Sequence, residues 1–150
     1  MASVLIVENN HFFRRSFKEI LKMYIPSLLI RESADGAEAL QKIRAEVPDL
    51  VFMDIRLPGI NGLDLARQIK DRYPDVVVSI FTHYDFPEYR VIAAKYGADH
   101  FLLKDKLSGA EIADIVRSVV SDKQRRAKKK RRLGMGGVKL AVLSPAATVA

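Results

Sequence analysis

The sequence predicts an α/β fold in which a parallel sheet is covered by helices on both faces. Three observations carry this. Five apolar, β-branched runs lie at residues 4–8, 28–32, 50–54, 76–82 and 101–104. Several of them are apolar throughout, without the polar alternation of a half-exposed strand. Stretches of helical period, with their own start and stop signals, alternate with the runs, and such βα alternation closes with right-handed crossovers.

Taken in order, the first run, "SVLIVENN", stops at Glu8 and is followed by two amides, Asn9 and Asn10. In "NHFFRRSFKEILKMY" the residues Phe13, Phe17, Ile20, Leu21 and Tyr24 fall at spacings of three and four, giving one apolar stripe. Pro26, Pro48 and Pro74 each stand shortly before a strand, where they stop the preceding helix. Asp35 with Glu38, and Ser108 with Glu111, read as capping boxes. Asn61 is an N-cap with Asp64 in the first turn, at the positive end of the helix dipole. Gly97 suits a left-handed cap after the fourth helix. From Ser108 the positions Ile112, Ile115, Val116, Val119 and Val120 mark a fifth helix, which runs on through "DKQRRAKKKRR" until Gly134.

Composition narrows the function classes. A chain of 150 residues, 49% of them hydrophobic, suits one domain with a full core and a tail. It has no cysteine, so disulfide frameworks and thiolate chemistry are excluded. The start lacks the features of a secretory signal, and no apolar run approaches the ~20 residues of a membrane span, so the expected compartment is the cytoplasm. The formal charge of +7 is unevenly placed. Residues 122–150 hold nine Lys and Arg against Asp122 alone, a balance of +8, which leaves −1 for the preceding 121 residues. The expected division is therefore a domain over 1–121 and a basic helix extension and tail over 122–150.

In a parallel sheet of this kind, ligands lie beyond the carboxyl ends of the strands. Those ends deliver Glu8-Asn9, Asp54, Thr82-His83 and Lys104-Asp105. A central carboxylate beside an acid, an amide, a hydroxyl and an ammonium suits phosphoryl transfer to the carboxylate. Asp54 is the candidate nucleophile, and a hard cation held by oxygen ligands neutralises the phosphoryl oxygens. No glycine-rich phosphate loop or acid/base pair supports an enzyme of small-molecule metabolism.

Four stretches, "VLIVEN", "DLVFMDIRLPGINGLDL", "SIFTHYD" and "GADHFLLKD", resemble the receiver domains of two-component response regulators, over about residues 3–120. The resemblance implies a doubly wound, flavodoxin-like, five-stranded sheet in the order 2-1-3-4-5 with five helices. It implies a signalling domain rather than an enzyme. Asp54 matches the phosphoacceptor, loaded by a histidine kinase or phosphotransfer protein. Glu8 and Asn9 match the acidic pair that holds Mg2+, with the backbone carbonyl of Arg56 as a further ligand. Thr82 and Lys104 match the hydroxyl and ammonium that sense the phosphoryl group, and Phe101 the aromatic whose rotamer accompanies activation. Pro58, Gly59 and Gly62 match the sharply turning loop after the phosphoacceptor.

Asn9 is the departure from the family, where aspartate is usual. It removes one formal charge from the cation site, which predicts weakened Mg2+ binding. A ring at His83, where the family commonly has a small residue, either narrows access to Asp54 or faces solvent. His11 and His100 carry no constellation. Rival readings are a phosphorylation-independent adaptor, and a nucleic-acid-associated protein acting through the basic residues 123–132. Nothing after Gly134 has a helix-turn-helix pattern, so the chain resembles a single-domain or truncated receiver.

Overall fold

A computed structural model describes the backbone of residues 1–143 and the side chains of residues 1–134. Five strands, β1 (Ser3–Val7), β2 (Leu29–Ser33), β3 (Leu50–Met53), β4 (Val77–Thr82) and β5 (His100–Leu103), form one parallel sheet in the order β2-β1-β3-β4-β5. The helices are α1 (His11–Tyr24), α2 (Gly36–Ala45), α3 (Gly62–Arg72), α4 (Pro87–Lys95) and α5 (Gly109–Leu143). The doubly wound fold and its strand order are as expected.

The register explains why the strand ends meet. Val7 pairs with Met53, so Glu8 and Asp54 leave the sheet side by side. Thr82 pairs with Leu103, so Lys104 emerges just past Thr82. Each polar residue except Thr82 sits one position beyond its strand, and Lys104 opens a 3-10 turn, Lys104–Lys106. The ladder thus ends a residue earlier than the runs at 4–8, 50–54 and 101–104 imply.

The three central strands are buried as predicted, but both edges are not. β2 keeps Leu29 49% exposed, and every residue of β5 is half-buried. An edge strand has a neighbour on one side only, so an apolar run there does not mean full coverage. One core layer packs Leu5, Val7, Val51 and Met53 against Ala39 and Ile43 of α2, Leu65 and Ile69 of α3, and Ala93 of α4. The other face gathers rings: Phe17 of α1 lies 4.8 Å from Phe52 and 5.1 Å from Phe81, centroid to centroid. Such pairs add about 0.5–1.5 kcal/mol each beyond their burial.

The helix starts follow the sequence, each cap side chain accepting from the amide three residues on. Asn61 accepts from the Asp64 amide at 3.0 Å, and Ser108 Oγ accepts from the Glu111 amide at 3.1 Å. Asp35 accepts from the Glu38 amide at 2.8 Å, but the Glu38 carboxylate reaches back to the Ala34 amide rather than that of Asp35. Asn10, not singled out in the sequence, caps α1 by accepting from the Phe13 amide at 3.0 Å. Gly97 ends α4 with φ 91°, the left-handed conformation that favours glycine.

The helix α5 does not stop at Gly134 but continues to Leu143. Glycine in a helix interior costs only about 1 kcal/mol and does not break the ladder as proline does. The chain separates into two compact units, one from Met1 to Val119 and a second starting at Val120. Among the described residues no helix is long and apolar enough to cross a membrane.

Candidate functional site

The centre of the site is an ammonium shared by two carboxylates. Lys104 Nζ donates to Glu8 Oε2 at 2.9 Å and to Asp54 Oδ2 at 3.2 Å. The Lys104 and Glu8 side chains are only 4% and 2% exposed, so both charges are held away from water, while Asp54 keeps 12% of its side chain open. Buried charges are tolerated only when paired and hydrogen-bonded. The second oxygen of Glu8 accepts from the Asn10 amide at 3.1 Å, so both of its oxygens are engaged. Burial raises the Glu8 pKa above its ordinary 4.5; the Lys104 hydrogen bond opposes the rise and the nearby Asp54 charge adds to it.

Two aromatic rings complete the cradle. Lys104 Nζ lies 4.4 Å from the Phe13 ring centroid and 5.3 Å from that of Phe81, within cation–π range. The sequence reading put Phe13 in a core stripe and did not single out Phe81. The signal was available, since Phe81 directly precedes Thr82 and Phe13 lies on the helix that follows Glu8. Arg14 was also missed: it donates to the Glu8 carbonyl at 2.6 Å and pairs with Glu32 at 3.2 Å, fixing the end of β1 from below.

Thr82 is fully buried, and its hydroxyl oxygen accepts from the Tyr84 amide at 3.2 Å. That leaves its own proton free to be donated. The Arg56 guanidinium lies 3.9 Å from the centroid of the Tyr84 ring, which stacks on Phe86. Asn9 is exposed and shares an open cavity of about 460 Å³ with Arg56, Asn61 and Tyr89. His83 is 55% exposed and bonds Asp105 at 3.0 Å, which is the outward alternative of the two. Phe101 is half-buried against the core under Arg90, 4.7 Å from the ring centroid. His100 bonds the buried Ser79 hydroxyl at 2.8 Å, a structural role.

The loop after Asp54 turns on Gly59, at φ 78°, and returns so closely that a Cβ on Gly62 would lie 2.0 Å from the Asp54 carbonyl oxygen. Glycine there is a requirement of the close approach.

Of the sequence candidates, Glu8, Asp54 and Lys104 are in direct contact, and Asn9 and Arg56 line one cavity. Phe101 packs elsewhere, on the α4 side. The oxygen donors offered by Glu8, Asp54, Asn9 and the Arg56 carbonyl suit a hard cation. Among the described residues no three His, Cys, Asp or Glu side chains gather into one metal-binding group.

A family model for the response regulator receiver domain matches residues 4–117. The chain is a response-regulator receiver. It is 32% identical over 102 residues to the transcriptional regulatory protein DegU of Brevibacillus brevis, covering 68% of this chain and 43% of that protein. It is 32% identical over 119 residues to the DNA-binding transcriptional activator DevR/DosR of Mycobacterium tuberculosis, covering 79% and 54%. The signal receiver domain of a NarL response regulator from M. tuberculosis superposes with a TM-score of 0.72 at 29% identity, over 78% of this chain and 94% of that one. The receiver therefore spans about half the length of the curated relatives it matches.

Proposed function

We propose that this receiver is a phosphorylation-dependent signalling switch of the cytoplasm, with Asp54 as phosphoacceptor and a histidine kinase or phosphotransfer protein as donor. The observation that supports it best is the Lys104 ammonium held between Glu8 and Asp54. An Asp54 carboxylate oxygen forms the new bond to phosphorus while the donor's N–P bond breaks, and the imidazole leaves with that electron pair. Lys104 then exchanges its Asp54 contact for a phosphoryl oxygen, and Thr82 turns its free proton towards another. Glu8, Asp54, the Asn9 amide oxygen and the Arg56 carbonyl are the residues that would hold Mg2+. When bound, it supplies charge neutralisation at the phosphoryl oxygens.

Movement of Thr82 releases the Tyr84 amide that its oxygen now accepts from. Tyr84 stacks on Phe86 and Phe86 meets Tyr89, so the start of α4 shifts with it. Phe101, under Arg90 of the same helix, is the aromatic we assign to the switch. The downstream target is a protein that reads the α4–β5 surface.

A second reading is favoured by Asn9: a receiver one charge short could act as an adaptor without phosphorylation. Incubation with acetyl phosphate and Mg2+, followed by intact mass, separates the two. The switch predicts a single phosphoryl adduct that is absent from Asp54→Ala. Unmodified wild-type protein at saturating Mg2+, beside an Asn9→Asp variant that does take the adduct, selects the adaptor.

A further inference from the structure

The segment that the switch leaves unexplained is the polycationic turn-after-turn of α5. Eight of the ten residues from 123 to 132 are Lys or Arg, and all ten are exposed. At about 100° per residue the cations fall on every side of the helix. From Ser121 to Arg132 no side chain more apolar than Ala127 occurs. Like charges also face each other at four-residue spacing, as in Arg125 with Lys129, Arg126 with Lys130 and Lys128 with Arg132. Such pairs oppose the helix they sit on. Asp122, which pairs with Arg125, is the one acidic residue of the stretch. A helix built this way gains most from a partner that brings negative charge to several of its sides at once.

We propose that residues 122–132 form a duplex-DNA-binding helix that reads the phosphate backbone without regard to sequence. The distribution of charge chooses among polyanions. A lipid surface inserts a helix by its apolar face; this stretch has none, so anionic headgroups would reach its cations from one side only. An acidic protein surface meets one side of a helix and leaves the opposite cations unused. The major groove of B-form DNA is about 12 Å wide, admits an α-helix and flanks it with phosphates on both sides. Eleven residues span about 16 Å, roughly five base pairs of groove. This inference uses only the second unit and does not depend on phosphorylation of Asp54.

The test is fluorescence anisotropy of a labelled duplex of mixed sequence with the full 150-residue chain, beside vesicles containing phosphatidylserine and beside polyglutamate. The duplex binds tightest of the three. If about four to six phosphates are neutralised, affinity falls roughly 10²–10³-fold between about 50 and about 200 mM salt. A Lys128→Gln/Lys129→Gln/Lys130→Gln variant weakens binding at least about tenfold and makes the salt slope shallower by up to about three. Its thermal unfolding matches the wild type, because every substituted residue is exposed. No binding at low salt, binding unchanged in the triple variant, or vesicles or polyglutamate bound as tightly as the duplex overturns the proposal.

Discussion

Lys104 faces two carboxylates and two aromatic rings, and each neighbour sets a different constraint on it. The carboxylates take two of its hydrogen bonds in a site almost closed to solvent. The rings give the ammonium two further, cation–π partners. Glu8 is the neighbour whose protonation matters most, because burial raises its pKa above 4.5. If the site holds Mg2+ as proposed, the cation competes with that proton, so its affinity should drop as pH falls, starting at a higher pH than an exposed glutamate would give. Asn9→Asp restores a charge next to this site. It is expected to bind Mg2+ roughly tenfold more tightly at neutral pH, measured by titration with a fluorescent probe near Tyr84. Equal affinity in the two proteins would mean that residue 9 does not contribute to the cation site.

At the scale of elements, the site depends on how closely α3 and β3 approach. The loop from Asp54 turns back so that the Gly62 amide donates to the Ile55 carbonyl at 2.7 Å. A Cβ at position 62 meets the backbone of Asp54 and Ile55 rather than a movable side chain. Gly62→Ala is therefore expected to destabilise the fold by about 3 kcal/mol or more in urea unfolding. Under the proposed function it should also slow phosphorylation of Asp54, because relief of the clash moves the Asp54 carbonyl. A cost within about 0.5 kcal/mol would show that the loop yields freely. Loss of a single cap, as in Asn10→Ala, costs only about 1 kcal/mol by comparison. The "LPGING" stretch announced a tight turn, but the reason for glycine at 62 rather than alanine is visible only where the two backbones meet.

For the whole molecule, charge and stability divide along the chain. The first 121 residues are close to neutral and carry the sheet, while the basic excess lies beyond them. Acid stability of the sheet is set in part by His100 on β5, whose burial lowers its pKa below 6.5, although nearby Asp99 opposes the shift. A lowered histidine pKa stabilises the fold above pH 6.5, and that stability is lost as pH falls through the folded-state value. His100→Asn keeps a group able to bond Ser79 but cannot take a proton. Its stability should fall less steeply with pH below 6.5, by at most about 1.4 kcal/mol per pH unit and by less than that for a half-buried ring. Identical pH slopes in urea unfolding of the two proteins would remove His100 from the account.

The sequence by itself determined the βα alternation, the buried central strands, the helix starts at Asp35, Asn61 and Ser108, and the polar residues waiting at the strand ends. These are local properties: apolar period, capping chemistry and the residue that follows a strand are fixed by neighbours along the chain. Tertiary structure alone decided that Lys104 reaches both Glu8 and Asp54, that Phe13 and Phe81 wall its ammonium, and that the edge strands stay half exposed. Those facts depend on register and strand order, which bring together residues separated by up to 96 positions, and periodicity carries no record of which strand lies beside which.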